Sequence, residues 1–506
     1  GRTTCANDSG ARTWRRVAVI LLNLKPELLP PPERYGLDLL IDLSRLLVAE
    51  RAECDLVTLT VVDRASAGSS AADVSSRAAL ELSEGDVRIS TSALRGVAEI
   101  AGGAAEQRST AMDRHGRVPA MENPLVAAGQ SRRPVVSQLA NELRRAVLAV
   151  AGRRPVRSVT PWPEGHRWAA LITHDLDIVD WWGLAPLLRI AELGMRGDWQ
   201  RCARVARAAR RSMGKDPVGK GVYSLLQLEA HHGIRATWFV ICAQPTIRSI
   251  LAGDSTYRPE GHAARRILTA LTQAGHEIGL HGSFATADDA QLMMAQRRTL
   301  GRLAESPVEG TRQHFLRMRP GRTQRNMVQA GFEYDASWGF ADRNGFRLGV
   351  ADVVPAWDAK AETLMPLDLI PLIWMDRALS KYAGVEEAGR WIEDARELAR
   401  ECKAAEGLWV GLWHPNTMEA LGFPGAEPAL VSLMQSLADD RPYFASAHKI
   451  VQWRRFRRSI RATRVSADGR VAMSTLEGQR TVIGIEDESG DTVQVNVKAE
   501  RPGGAA

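Results

Sequence analysis

Apolar residues in this 506-residue chain arrive in short runs that break off into acidic or imidazole side chains. Trp168 to Asp177 reads WAALITHDLD, an apolar stretch ending in His174, Asp175 and Asp177. Gly275 to Thr286, GHEIGLHGSFAT, carries a shorter run into His281, and Trp409 to Asn416, WVGLWHPN, carries another into His414. Runs of this length read as buried strands of a parallel sheet, with polar groups surfacing at their ends. Between them lie helix-length stretches: a long basic one from Arg189 to Lys220, and one from Tyr223 to His231 that precedes the strand Ala236 to Ile241. Strand and helix in alternation predict an α/β fold, here a distorted parallel (β/α) barrel.

The flanks differ. Up to about Arg153, strand-like runs (Val17 to Leu22, Leu56 to Val62) alternate with helical ones (Leu37 to Glu50, Val135 to Ala151), which predicts a smaller N-terminal α/β domain. Within it, Ala65 to Arg77 reads as a Ser/Ala-rich loop, and Met112 to Pro119, MDRHGRVP, as a structural turn without assigned chemistry. After Arg455, short alternating runs such as VQVNV sit between Asp468-Gly469, Glu477-Gly478 and Ser489-Gly490, the pattern of a short antiparallel β appendage. The expected division is residues 1–155, 156–455 and 456–506.

Composition narrows the class. A chain that is 45% hydrophobic and 25% charged is expected to fold as an ordinary globular protein, and no apolar run approaches the ~20 residues of a membrane span. Arg15 to Leu24 has arginines before an apolar run but contains Asn23 and no small-residue cleavage site, so it reads as a first buried strand. The five cysteines, Cys5, Cys54, Cys202, Cys242 and Cys402, are odd in number and scattered. They read as inert buried thiols of a reducing compartment, hence a cytoplasmic location.

The net charge of +7 gathers on Arg196, Arg201, Arg204, Arg207, Arg210, Arg211 and Lys215, expected on one helix. The plain reading is a solvated face. A functional one is an anionic glycan, a nucleotide-linked sugar or a membrane surface; nucleic acid is set aside, because no zinc finger, helix-turn-helix or RNA-binding signature accompanies the charge. Nothing in the chain sets an oligomeric state.

A lone Asp-x-Asp is common in turns and helix caps, so Asp175 and Asp177 alone say little. Repetition changes the picture. His281 and His414 end strands of the same kind, Arg312, Gln313, His314 and Phe315 follow a Gly-Thr turn, and Tyr334 to Trp338 reads YDASW. Catalytic groups collect at strand ends on one face of such a barrel, and together these suggest a mononuclear metal hydrolase.

THDLD, GHEIGLHGS, TRQHFLR, YDASW and GLWHP, in that order over about 240 residues, resemble the motif series of the polysaccharide deacetylases. These are the family 4 carbohydrate esterases with a NodB-homology domain, and the chain resembles a branch with a Thr-His-Asp-x-Asp first motif and an extra N-terminal domain. The resemblance covers roughly Pro161 to Arg455. It implies Asp175 as catalytic base, Asp177 and His281 as metal ligands, and His414 as catalytic acid. It further implies Arg312 as the arginine orienting the base and Asp335 as the carboxylate orienting the acid.

Two positions depart from the family pattern. A second metal histidine is usual four residues after His281, where this chain has Ala285, and a phenylalanine is usual where it has His174. Three completions of the metal site stay open. His314 supplies a third ligand, giving a site suited to zinc; water or Asp335 completes a more oxygen-rich site suited to manganese or magnesium; or no metal is held. His276 is a poorer ligand candidate, because its odd spacing from His281 puts the two on opposite strand faces.

The implied activity is metal-dependent removal of an N-acetyl group from an amino sugar, in a polysaccharide or a glycan precursor. The alternative is a non-catalytic carbohydrate-binding or scaffold protein that keeps a degenerate barrel.

Overall fold

The computed structural model describes residues 20–22, 29–49, 57–66, 68–152, 156–180, 185–211, 215–465, 471–474, 480–486 and 492–498. They fall into two compact units: the described residues within 1–98, 135–165 and 452–506, and those within 99–134 and 166–451.

The first unit holds a seven-stranded sheet and a three-stranded sheet. The run expected as a helix to Glu50 is helical over Pro31–Ser44: Pro31 occupies the first turn, and Arg45 ends the helix in the left-handed region at φ 62°. The chain then enters the short strand Val48–Ala49. Val135–Ala151 is helical, with Leu139, Leu143 and Val147 buried along one face. The Ser/Ala-rich stretch is not wholly loop: Ser69 caps a short helix, Ser70–Ser75, by accepting the Ala72 N–H, an N-cap signal overlooked behind the composition. At the C-terminal end, Arg480–Glu486 pairs antiparallel with Thr492–Lys498 and with Val156–Val159, while Arg461–Val465 extends the larger sheet. The three Gly-containing turn pairs lie outside the described residues.

The second unit is a deformed (β/α) barrel. Its parallel strands run, in space, Tyr334–Asp335, Gly310–Gln313, Glu277–Gly282, Thr237–Ile241, Ala169–Leu176, Leu408–Leu412 and Trp374–Met375. Beyond Tyr334–Asp335 the sheet continues through Thr363–Leu369, which pairs antiparallel with Val354–Asp358. Ala169–Leu176 is buried along its whole length, as its unbroken apolar run predicts. Register sets the site: His281 lies beside Ile241 on one side and Arg312 on the other. Gly310 lets the sheet close there, since a Cβ at that position would fall 1.8 Å from the Tyr334 ring.

The basic stretch is two helices rather than one, Ala185–Met195 and Trp199–Arg211. Gly197, at φ 73°, breaks them, and the Asp198 side chain accepts the Arg201 N–H to start the second. Arg207, Arg210 and Arg211 face solvent, whereas Arg189 and Arg196 line the barrel's cavity. No helix among the described residues is long and apolar enough to cross a membrane.

Candidate metal centre and active site

Side chains alternate along a strand, so Thr173, Asp175 and Asp177 share one face of the first barrel strand and its extension, and His174 points to the other. On the front face, Asp177, His281 and His314 converge, with one ligand atom from each within 4.8 Å of the others. Asp177 Oδ1 lies 3.4 Å from His281 Nε2 and 3.6 Å from His314 Nε2. Ligand atoms ~2.0–2.1 Å from a tetrahedral zinc ion stand roughly 3.3 Å apart, close to this spacing.

The hydrogen bonds around the three side chains prepare the same point. His281 Nδ1 is 2.9 Å from the Arg312 carbonyl, and His314 Nδ1 is 2.9 Å from Asp254 Oδ1. A ring nitrogen facing a carbonyl or carboxylate carries the proton, which leaves each Nε2 lone pair aimed inward. Asp177 Oδ1 is buried without a hydrogen-bond partner. Two imidazole lone pairs and an orphaned carboxylate oxygen thus meet where only a cation or a proton satisfies them, and the donor set fits a divalent ion. Charge agrees. Burial raises the Asp177 pKa, but the close imidazoles of His281, His314 and His414 outweigh it and hold the carboxyl well below its usual range. Burial lowers that of His281, but Asp175 and then Asp177 hold it above the ordinary imidazole value.

Asp175 sits beside this centre, with Oδ2 3.6 Å from His281 Nε2. Its Oδ1 accepts from Arg312 Nη1 at 2.9 Å. Arg312 is fully buried and fixed from several sides: Nη1 also donates to Thr173 Oγ1 at 2.9 Å, Nε donates to the Ala336 carbonyl at 3.0 Å, and the guanidinium lies 4.4 Å above the Phe239 ring.

His414 lies beside Asp177, Nε2 to Oδ2 4.0 Å. The carboxylate beside its ring is Asp376, not Asp335. Asp376 Oδ1 is 2.6 Å from His414 Nδ1, and Oδ2 accepts the His414 N–H at 3.1 Å and the Thr417 hydroxyl. Asp376 is fully buried, which raises its pKa, yet His414 and Arg377 hold it below the ordinary carboxylate value. Asp335 instead accepts from Gln324 Nε2 and the Ser337 N–H, both at 2.8 Å, and braces the turn whose Ala336 carbonyl holds Arg312. Burial leaves its carboxyl above the usual range. The signal for Asp376 was present: IPLIWMD is another apolar run ending in an acid. Asp254, in a polar loop, carried no such signal.

Ala285 lies exposed on the short helical turn Phe284–Asp288 and does not line the cavity. His314 comes from a tight turn in which Phe315 and Leu316 both take left-handed φ, 60° and 53°. The Met112–Pro119 turn braces it. Asp113 Oδ1 accepts the N–H groups of His115 and Arg117, and Arg117 donates to Asp113 Oδ2 at 2.8 Å and to the Phe315 carbonyl at 3.1 Å. His115 stacks on Phe315 at 5.2 Å, and Phe315 on His314 at 3.9 Å. A turn it is, but one belonging to the barrel unit and forming a wall of the site.

No family model matches the chain, and no curated protein does. Solved structures do. Puue allantoinase is 16% identical, with 58% of this chain and 92% of that chain covered and a TM-score of 0.39. A probable polysaccharide deacetylase from Pseudomonas aeruginosa PAO1 is 18% identical, with 60% and 96% covered and a TM-score of 0.38. A CE4 family pseudoenzyme from Bacillus anthracis is 10% identical, with 60% and 72% covered and a TM-score of 0.30. The chain is similar to polysaccharide deacetylases. At such identities and scores the likeness assigns no role to any residue, and the roles below come from this chain's own geometry.

Proposed function

We propose that the protein is a metal-dependent hydrolase that removes an N-acetyl or related acyl group from an amino sugar, in a polysaccharide or a glycan precursor. The observation that carries this reading is the meeting of Asp177, His281 and His314 at one point of a cavity also lined by Asp175 and His414. One carboxylate and two imidazoles suit zinc, ahead of manganese or magnesium. The ion, when bound, supplies Lewis acidity that lowers the pKa of water and polarises the acyl oxygen.

The chain's own groups do the rest. Asp175, with Oδ1 fixed by Arg312, keeps Oδ2 turned to the centre and takes the proton of the attacking water. His414 gives a proton to the departing amine nitrogen, and Asp376 stabilises the imidazolium that must exist beforehand. Amide cleavage needs this proton because an amine anion is a very poor leaving group. The alternative of a non-catalytic, degenerate barrel rested on Ala285, and His314 beside Asp177 argues against it.

The test is acetate release from a panel of N-acetylated sugars by the zinc-loaded protein, with Asp175→Asn alongside. The variant is expected to lose ~10²- to 10⁴-fold in kcat at unchanged metal content. A fully metallated wild type that releases no acetate from any member sinks the proposal.

A further inference from the structure

The cavity carries charge that the hydrolytic chemistry does not use. The cavity, about 660 Å³, is lined by the residues of the metal centre. The same cavity is lined by Arg189 and Arg196, from the first basic helix and its end, and by Arg377 and Lys381, from the helical turn after Trp374–Met375. A single carboxylate, Glu192, stands among them: it is 2.6 Å from Arg189, 3.0 Å from Arg196 and 3.5 Å from Lys381. Four cations against one carboxylate leave three positive charges facing the cavity.

The crowded charges act on one another. Burial raises the Glu192 pKa, yet Lys381, Arg189 and Arg196 bring it down to about 2. Arg189 is pushed below its ordinary value, by burial first and then by repulsion from Arg377 and Arg196, despite its ion pair. Like charges crowded into a partly dry wall cost stability unless something relieves them.

Arg377 is the best placed to bind. Its guanidinium donates to Asn416 Oδ1 at 2.6 Å and lies 4.5 Å from the Phe423 ring, with no carboxylate at ion-pair distance among the described residues. Arg189 rests on the same ring at 4.9 Å. Two planar forks held against one aromatic ring are prepared for a planar or tetrahedral anion. Arg377 also follows directly on Asp376, the partner of His414, so the anion would lie on the leaving-group side.

We propose that the cavity takes an acylated amine carrying a second, anionic group, a carboxylate or a phosphate, and that Arg377 with Arg189 and Lys381 binds it. The proposal rests on the hydrolase reading and extends it to a substrate class.

Calorimetry on the zinc-loaded protein in low salt tests it, with N-acetylglucosamine, N-acetylglucosamine 6-phosphate and N-acetylmuramic acid as neutral, phosphate and carboxylate probes. At least one anionic probe should bind about 10- to 100-fold more tightly than the neutral one, the scale of one or two charge-assisted bonds. The better arm identifies the anion. Arg377→Gln and Lys381→Gln, each checked for full zinc content, should remove most of that advantage. Should either variant fail to hold zinc, competition by inorganic phosphate on the wild type decides: displacement of the anionic probe supports the subsite, and none overturns it. Equal affinity for all three probes also overturns it. Acetate release is scored separately. Tight anion-dependent binding without release counts against the hydrolase and leaves the subsite standing, whereas release without charge preference does the reverse.

Discussion

Histidines and acids gather on both faces of the first barrel strand, and the two clusters behave oppositely. Behind the strand, His174 is fully buried, with Nδ1 2.7 Å from the Trp413 carbonyl and Nε2 2.8 Å from Glu229 Oε1, while its ring lies 4.3 Å from Trp238. Glu229 Oε2 is 3.6 Å from His276 Nε2, and His276 Nδ1 accepts the Ala236 N–H at 3.1 Å. Each ring nitrogen there faces a group of complementary character. In front, His281 and His314 spend their Nδ1 protons on outside partners, and their Nε2 lone pairs meet an orphaned carboxylate oxygen. The lesson is that residue type does not distinguish a structural cluster from a binding one. What distinguishes them is what they open on: Asp177, His281 and His314 line a cavity with room for a ligand, whereas His174, Glu229 and His276 are packed away from it.

The comparison breaks most visibly through the back. Glu229→Ala leaves His174 buried with an uncompensated Nε2 and should cost ~3–5 kcal/mol of stability in denaturant unfolding, with the zinc affinity of the folded protein unchanged. A large loss of zinc affinity in that variant would show that the faces are coupled. In front, His314→Ala should weaken zinc binding by ~100-fold or more, beyond what loss of a supporting partner costs, at little expense in stability. Retained affinity would make His314 structural and return the site to two ligands.

A smaller effect sharpens the contrast. His276 is held below the ordinary imidazole pKa by burial first, with His174 and Arg235 adding to it against the attraction of Glu229. The unfolded chain therefore binds this proton more readily. Stability is full above about pH 6.5 and falls as pH drops through the folded value, by at most ~1.4 kcal/mol per pH unit. His276→Gln should flatten that slope, and an unchanged slope would place the titration elsewhere. Smallest of all, Ala285→His, at an exposed position outside the cavity, should leave zinc affinity as it is and stability within ~0.5 kcal/mol. Tighter zinc binding would show that the helical turn at 284–288 rearranges to reach the centre.

Cys202, Cys242 and Cys402 are buried and free, and burial pushes the Cys242 thiol up to about 12, while Cys5 and Cys54 lie outside the described residues. The stretch Arg15 to Leu24 is described only over Ile20–Leu22, which is a strand.

By itself the sequence determined the alternation of strands and helices and the placing of Asp175, Asp177, His281, Arg312 and His414 at or near strand ends. Both are local properties: period, apolar run length and the polar residue that stops the run. The opposite faces of His174 and Asp175 follow from the same period of two. Only the tertiary structure chose Asp376 over Asp335 as the partner of His414, because that choice depends on which strands become neighbours, and Trp374–Met375 lies beside Leu408–Leu412 while Tyr334–Asp335 lies far along the sheet. Only it seated Asp254 behind His314, brought the Met112–Pro119 turn against Phe315, and split the basic stretch so that Arg189 and Arg196 face the cavity. Hydrogen-bond direction and charge balance are properties of convergence in space, and these contacts join residues some 40 to 200 positions apart in the chain.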